Sequence, residues 1–298
     1  MTTFAPPPPT GSAEPAMQPP PPLSPRGRTG IRLALIVAAA VLVVGTIASL
    51  GGLAIGVSSF RVITDSKPLP STMRSLTVDA GSVPVAVRIT TDREAREPHA
   101  DLRLVTSTRA GENPLTVTTD AGGTRITLSG EGSSLLDWGR AGELVLVLPP
   151  DLARRLTVNA RQSNSIVVLD ADVDQLIART DNGEAVLKGS ARRIEIYTEN
   201  GDVMTRDPIS VSEAFIAETS NGDIEVDLRD TAPRTVEASS DNGDVIIAVP
   251  TGGPYVVNAN TENGHTEIRV PRATDRANAA AVITVRSENG DAIVDDLR

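Results

Sequence analysis

The side chains of this sequence best suited to chemistry are carboxylates, and they gather around one recurring turn. Asp181, Glu199, Asp241, Glu262 and Glu288 each precede an Asn-Gly pair, and Glu184, Asp202, Asp223, Asp244 and Asp291 each follow the glycine. Two such rows can chelate Ca²⁺, which takes about six to eight oxygen ligands. They can also divide general-acid and general-base roles across a glycosidic bond. Either chemistry needs particular carboxylates set apart from the rest, and here none differs from its copies. Calcium-binding β-rolls also repeat about every nine residues, less than half the interval found here. The rows are therefore expected to form a solvated acidic edge that keeps neighbouring molecules apart, with no metal, cofactor or catalytic residue assigned.

Other chemistry has even less to work with. His99 and His265 stand alone, there is no cysteine, and no H-E-x-x-H, G-x-S-x-G or G-x-x-x-x-G-K-[ST] motif occurs. The chain is not expected to be an enzyme. Sugar binding by stacking wants aromatic platforms, but only 2% of residues are aromatic. Beyond Phe60 these are Trp138, Tyr197, Phe215 and Tyr255. Phe215 falls at an inward position and Tyr197 at an outward one without aromatic counterparts. Trp138, in the irregular GEGSSLLDWGRAG stretch, is either an exposed platform or a cap over the end of the repeats.

The elements that position these groups follow from the repeat. Asn182, Asn200, Asn221, Asn242, Asn263 and Asn289 are each followed by glycine, at intervals of 18, 21, 21, 21 and 26. Six positions before each lies a bulky apolar residue (Leu176, Ile194, Phe215, Val236, Val257, Ile283), and two before lies Thr or Ser (Thr180, Thr198, Thr219, Ser240, Thr261, Ser287). Apolar residues also alternate after the glycine, as at Ile224 and Val226. The period of two means strands on both sides of the turn. Asn-Gly between such strands signals a type I′ hairpin, which would give an antiparallel meander. A hairpin gives no reason for the recurring interval, whereas stacked coils place each position over its copy. The expected fold is therefore all-β, a β-solenoid of coils about 20 residues long with Asn-Gly corners, in which Asn side chains and the Thr/Ser row form hydrogen-bonded ladders.

Weaker coils extend the series toward the N-terminus. LTVNARQSNSIVV starts at Leu156, one coil length before Leu176, with a degenerate turn, and LTVTTDAGGTRI from Leu115 has Ala121-Gly122 in place of Asn-Gly. These coils are expected to cap one end. A short turn is expected at RATDRANAAA from Arg272, and the terminal DDLR should blunt pairing at the other end.

The rest of the chain divides by composition. Residues 1–30 are Pro-rich and read as a disordered, solvated tail. Residues 31–59 read as a transmembrane helix: 33–57 carry no charge and would span about 37 Å at the helical rise. Arg26, Arg28 and Arg32 flank the N-terminal side, which leaves the tail in the cytoplasm and the C-terminal domain extracytoplasmic. Gly45, Gly51, Gly52 and Gly56 offer a small-residue contact through which a homo-oligomer can form. Residues 60–75 read as a linker and 76–298 as the solenoid. The net charge of −10 lies in the C-terminal part and repels phosphate backbones, so nucleic acid is not an expected partner.

The repeated S/T-x-N-G-D-[IV] turns, the LVLPPDLARRLTV segment and the N-terminal membrane helix resemble the bacterial putative-adhesin domains of unknown function, β-solenoids related to the toast-rack modules. The resemblance covers roughly residues 76–297, and His265 and the Ala121-Gly122 turn depart from its pattern. It implies a surface-exposed or membrane-anchored domain with no established enzymatic role; separately, the expected partner is a cell-envelope or surface component, protein or glycan. It carries over no binding residue. An envelope-sensing regulator signalling through the tail, and a carbohydrate-active enzyme, are the alternatives.

Overall fold

The computed structural model describes residues 60–107, 114–129 and 142–297. The expected tail and membrane span, and Trp138, lie outside the described residues. Among the described residues no helix is long and apolar enough to cross a membrane. Residues 59–298 make one compact unit, in which 19 described strands join a single open sheet rather than a barrel.

The strands follow the alternation read from the sequence. Seven precede the regular repeats: β1 (Phe60–Pro68), β2 (Ser75–Gly81), β3 (Val85–Thr91), β4 (His99–Ser107), β5 (Leu115–Asp120), β6 (Gly123–Leu128) and β7 (Gly142–Leu148). The regular region comprises β8 (Thr157–Asn164), β9 (Val167–Asn182), β10 (Ala185–Asn200), β11 (Val203–Thr205), β12 (Ser210–Asn221), β13 (Ile224–Asp227), β14 (Thr235–Asn242) and β15 (Val245–Val249). The chain closes with β16 (Val256–Asn263), β17 (Thr266–Ile268), β18 (Val282–Asn289) and β19 (Ala292–Asp296). A one-turn helix, α1 (Pro150–Ala153), follows the Pro-Pro of the LVLPPDLA segment, with Pro at its first turn, where the missing N–H costs nothing. The turn expected near Arg272 is a 3₁₀ turn at Arg276–Asn278, capped by Asp275 accepting from the Ala277 N–H.

The Asn-Gly turns are not hairpins. Strands ending at each Asn pair in parallel and in register, as in Thr180↔Thr198 and Asn182↔Asn200, or Phe215↔Val236 and Asn221↔Asn242. Strands after each glycine do the same, with Val203↔Ile224↔Val245. Two ladders thus run side by side, joined at the Asn-Gly corners. Their inward rows belong to one apolar cluster that includes Leu176, Ile194, Phe215, Val203, Ile224 and Val245, all fully buried. That core is aliphatic, as the composition requires; Phe215 and Tyr255 are its aromatic members.

Three expectations about the repeats need correction. The degenerate coil is registered by Val158↔Leu176, not by Leu156, so Asn164 joins the column opposite Asn182 at the same sequence interval that separates Asn182 from Asn200. Ala121-Gly122 is not a coil corner: β5 and β6 pair antiparallel around it, and Asp120 accepts the Gly122 N–H at 2.7 Å. A true hairpin forms here because β5 has a pairing partner on one side only, at the end of its ladder. Nor do the coils stack in chain order. β18 pairs with β14 on one side and β16 on the other, so Asn289 lies between Asn242 and Asn263. β19 likewise lies between β15 and β17.

The inserted order has a physical reason. The last coil turns Ile283, Val285, Ala292 and Val294 inward, all fully buried. The coil of β16 and β17 is polar, with Asn258, Asn260, Glu262 and Glu267 exposed and Ile268 only half-buried. Placing the polar coil at the open edge keeps the apolar one covered on both sides and blunts the edge against pairing with another molecule. The N-terminal end is rearranged in the same sense: β2 lies between β6 and β8, and β3 between β7 and β9. There the edge is closed by antiparallel strands. β4 pairs with β7, and Phe60–Pro68, in the stretch expected as a linker, pairs along β4.

Candidate functional site

The Asn-Gly column is built by hydrogen bonds between side chains of successive coils. Asn182 donates its amide to Asn164 Oδ1, Asn200 to Asn182, Asn221 to Asn200, Asn242 to Asn221, Asn289 to Asn242 and Asn263 to Asn289, each at 2.9–3.0 Å. Aspartates after the glycines are engaged too. The backbone N–H of Asp223 donates to Asp202 Oδ1, that of Asp244 to Asp223, that of Asp291 to Asp244 and that of His265 to Asp291, at 2.8–2.9 Å. The row after the glycines faces solvent but is not free: these carboxylates tie each coil to the next. The Asp291 carboxyl is held below the usual range, chiefly by the His265 N–H; burial opposes this, and the His265 side chain adds a lesser lowering. The departure at His265 is now explained, because it stands on the outermost coil and has no coil above it to receive.

The hydroxyl row divides into two parts. Thr219 donates to the Gly201 carbonyl, Ser240 to Gly222, Ser287 to Gly243 and Thr261 to Gly290, at 2.7–3.0 Å. Thr180 and Thr198 make no such bond. Their hydroxyls are buried without a partner, as are both amide atoms of Gln162 at the equivalent position one coil earlier. These three neighbours are 6–8% exposed. The aspartate bond is missing there as well, since Ile166 and Glu184 occupy the positions taken by aspartate in later coils.

A groove of about 530 Å³ opens over this part of the column. Its floor is the segment with Gln162, Thr180 and Thr198; Arg161, Arg179 and Tyr197 line one side, and Ser163, Asp181 and Glu199 the other. The period of two puts them there: Arg161↔Arg179↔Tyr197 is an outward row in register on adjacent strands. The Arg179 guanidinium sits over the Tyr197 ring, 4.8 Å from its centroid, a cation–π contact. The Tyr197 hydroxyl donates to Glu195 Oε2 at 3.2 Å, and its pKa is raised, first by burial and then by the Glu195 charge. Arg161 has no side-chain partner among the described residues, and Asp79, at the groove's end, accepts from the Gly81 N–H.

The other residues singled out in the sequence fall away from the groove. Phe215 is core, as expected. Tyr255 is also buried, its hydroxyl donating to the Pro250 carbonyl, so it offers no platform. His99 is half-buried beside the Glu97 carbonyl and Asp101, and His265 is exposed at the far end of the stack. Among the described residues no group of three or more His, Asp or Glu is placed to hold a metal ion. Sequence reasoning misses the arginine pair, although a signal for it exists: Arg161 and Arg179 are separated by the same interval as Asn164 and Asn182, in an otherwise acidic repeat.

No protein-family model matches the chain, and no curated protein matches it in sequence. Among solved structures it is similar to one named a putative cell adhesion protein from Clostridium sporogenes (TM-score 0.31, 11% identity, 80% of this chain and 100% of that chain). It is also similar to structures named putative adhesins from Bacteroides fragilis (TM-score 0.38, 14% identity, 80% and 97%) and Parabacteroides merdae (0.39, 11%, 80% and 97%). At TM-scores below 0.5 these likenesses transfer neither a fold nor an activity to this chain.

Proposed function

We propose that this chain is a membrane-anchored β-solenoid, extracytoplasmic and held by residues 31–59, that serves as an adhesion-type binding module for an envelope or surface component. The observation that carries the reading is the column itself: seven asparagines in register on parallel strands, with side chains bonded from coil to coil. Such a stack repeats outward-facing side chains at the interstrand spacing of about 4.8 Å, which suits an extended partner. Binding is favoured over catalysis because Asp202, Asp223, Asp244 and Asp291 are committed to backbone N–H groups of the adjacent coil. One oxygen of each is thereby given to holding the stack together, which is a structural use of the row.

Two measurements on intact cells carrying the full chain test this. Added protease should cut beyond Phe60 and leave the Pro-rich tail intact, and the same cells should retain envelope fragments that cells lacking the chain do not. Loss of the tail with survival of the C-terminal region would reverse the orientation, and equal retention by both cell types would remove the binding role.

A further inference from the structure

We propose that the groove between Arg161, Arg179 and Tyr197 on one side and Asp181 and Glu199 on the other binds a neutral, hydroxyl-rich glycan segment lying along the stack. The inference rests on the binding-module reading above and names the ligand class of that module.

Charge narrows the occupant first. The chain carries a net −10, and Asp79, Asp181 and Glu199 line the groove, which opposes a polyanion. Two guanidiniums along one side oppose a polycation. What remains is a neutral ligand that offers donors and acceptors together. Guanidinium groups are pure donors in a fixed fork and ionised carboxylates pure acceptors. A sugar diol meets both, donating one hydroxyl proton to a carboxylate while its oxygens accept from arginine. Spacing agrees with this: Arg161, Arg179 and Tyr197 succeed one another by one interstrand step, about 4.8 Å, close to the length of a pyranose unit. Successive sugars would then meet successive coils.

The inward row behind the groove supplies an independent observation. Gln162, Thr180 and Thr198 are each more than nine-tenths buried, and Gln162 Nε2 and Oε1 and the two hydroxyls have no partner. The next four residues of the same row are all bonded to a glycine carbonyl. The stack therefore gives up hydrogen bonds where the groove lies. A departure from the bonding rule at one place in a regular repeat is the mark of a site shaped by something other than stability.

Arg179 is partly fixed by its contact with Tyr197, which lowers the ordering cost when a ligand binds. Arg161 is free to turn toward the ligand.

The test uses the full chain in detergent, titrated by calorimetry with cellohexaose and with soluble mannan as neutral probes, and with polygalacturonate and heparin as anionic ones. The expected result is binding to at least one neutral probe. R161M and R179M should weaken it tenfold or more without moving the melting temperature, while R286M, in the same outward row but outside the groove, leaves it unchanged. D181N is a second arm, expected to weaken the same probe. Binding confined to the anionic probes, or neutral binding indifferent to all three groove variants, overturns the proposal, as does absence of binding to any probe. If cells carrying R161M and R179M still retain envelope fragments as the parent does, this site is wrong and the binding role stands. If the parent chain retains none, the underlying reading fails instead. Retention of a protein component alone, with no glycan bound, likewise overturns the glycan assignment.

Discussion

One column of asparagines is held together in two different ways along its length. Between Asn200 and Asn263 every junction carries an Asn-to-Asn bond, a hydroxyl bonded to a glycine carbonyl, and a backbone N–H bonded to aspartate. From Asn164 to Asn200 only the Asn-to-Asn bond survives among these three. The backbone ladder is nonetheless continuous: the Gly183 N–H reaches the Asn200 carbonyl at 2.9 Å and the Gly201 N–H reaches the Asn221 carbonyl at 2.8 Å. Parallel pairing and the Asn-to-Asn bond therefore stack the coils without the other two bonds. The hydroxyl and aspartate bonds are an addition that one half of the column has and the half beneath the groove lacks.

The largest effect is expected at the glycines of the fully bonded half. Gly243 has φ +152°, and a Cβ there would stand 2.1 Å from the Gly222 carbonyl oxygen; Gly222 has φ +150° with 2.3 Å to the Gly201 oxygen. Both the backbone conformation and the close approach of the next coil demand glycine. Gly243→Val should cost about 3 kcal/mol or more, combining strain and displacement of packed backbone. Hydrogen exchange should show protection lost first around the Asn221, Asn242 and Asn289 coils, because each coil touches only its neighbours. Uniform loss over the whole sheet would mean the column does not behave as a one-dimensional stack.

Next in size are the hydroxyls, which separate the two halves most directly. Thr219→Val and Ser240→Ala should each destabilise by about 1 kcal/mol, the usual net worth of a hydrogen bond. Thr180→Val and Thr198→Val should be neutral or stabilising by up to about 1 kcal/mol, since each removes a buried oxygen without a partner. Equal losses at all four positions, measured by urea denaturation, would show that the unpartnered hydroxyls are satisfied after all and erase the contrast.

A smaller effect should appear with acid. Because the Asp291 carboxyl is held below its ordinary range when folded, its contribution is present above about pH 4 and is lost as pH falls through the folded value. Exchange protection of the Val256–Asn263 strand should therefore weaken below pH 4, and Asp291→Asn should remove that sensitivity at neutral-pH protection close to the parent's. Persistence of the same acid response in the variant would place its origin elsewhere. The smallest changes are expected from Asp223→Asn and Asp244→Asn, whose amide oxygen still accepts the N–H above it. Their melting temperatures should lie close to the parent's, with or without Ca²⁺, and Glu184→Gln should be silent because no N–H reaches its side chain among the described residues. A calcium-dependent rise in melting temperature that these variants abolish would turn the aspartate row into a metal site.

Much of this is legible in the residues. The period of two, the hydroxyl two positions before each Asn and the recurrence of the interval specify parallel, in-register coils rather than hairpins. Ala121-Gly122 misleads because a repeat inferred by alignment cannot tell an interior coil, paired on both sides, from an end strand that must turn back on itself. The aspartates mislead for a related reason. Their partners are backbone N–H groups a full coil away in sequence, and a side chain's acceptor role toward the coil above leaves no local trace. The groove is hard to see because Arg161 lies on the strand leading into the turn that looks degenerate, so the arginine pair does not stand out as one row.

For the coils with Asn-Gly corners the sequence by itself determined which residues face inward and where the corner falls, because both depend only on local periodicity and on the conformational freedom of Asn-Gly. Only the tertiary structure decided the order of the coils. Every coil presents nearly the same edge to its neighbours, so local pattern cannot say which pairs with which. The choice falls to burial: the apolar coil of Ile283 and Val294 is covered on both faces, and the polar coil of Asn258 and Glu267 is left at the edge.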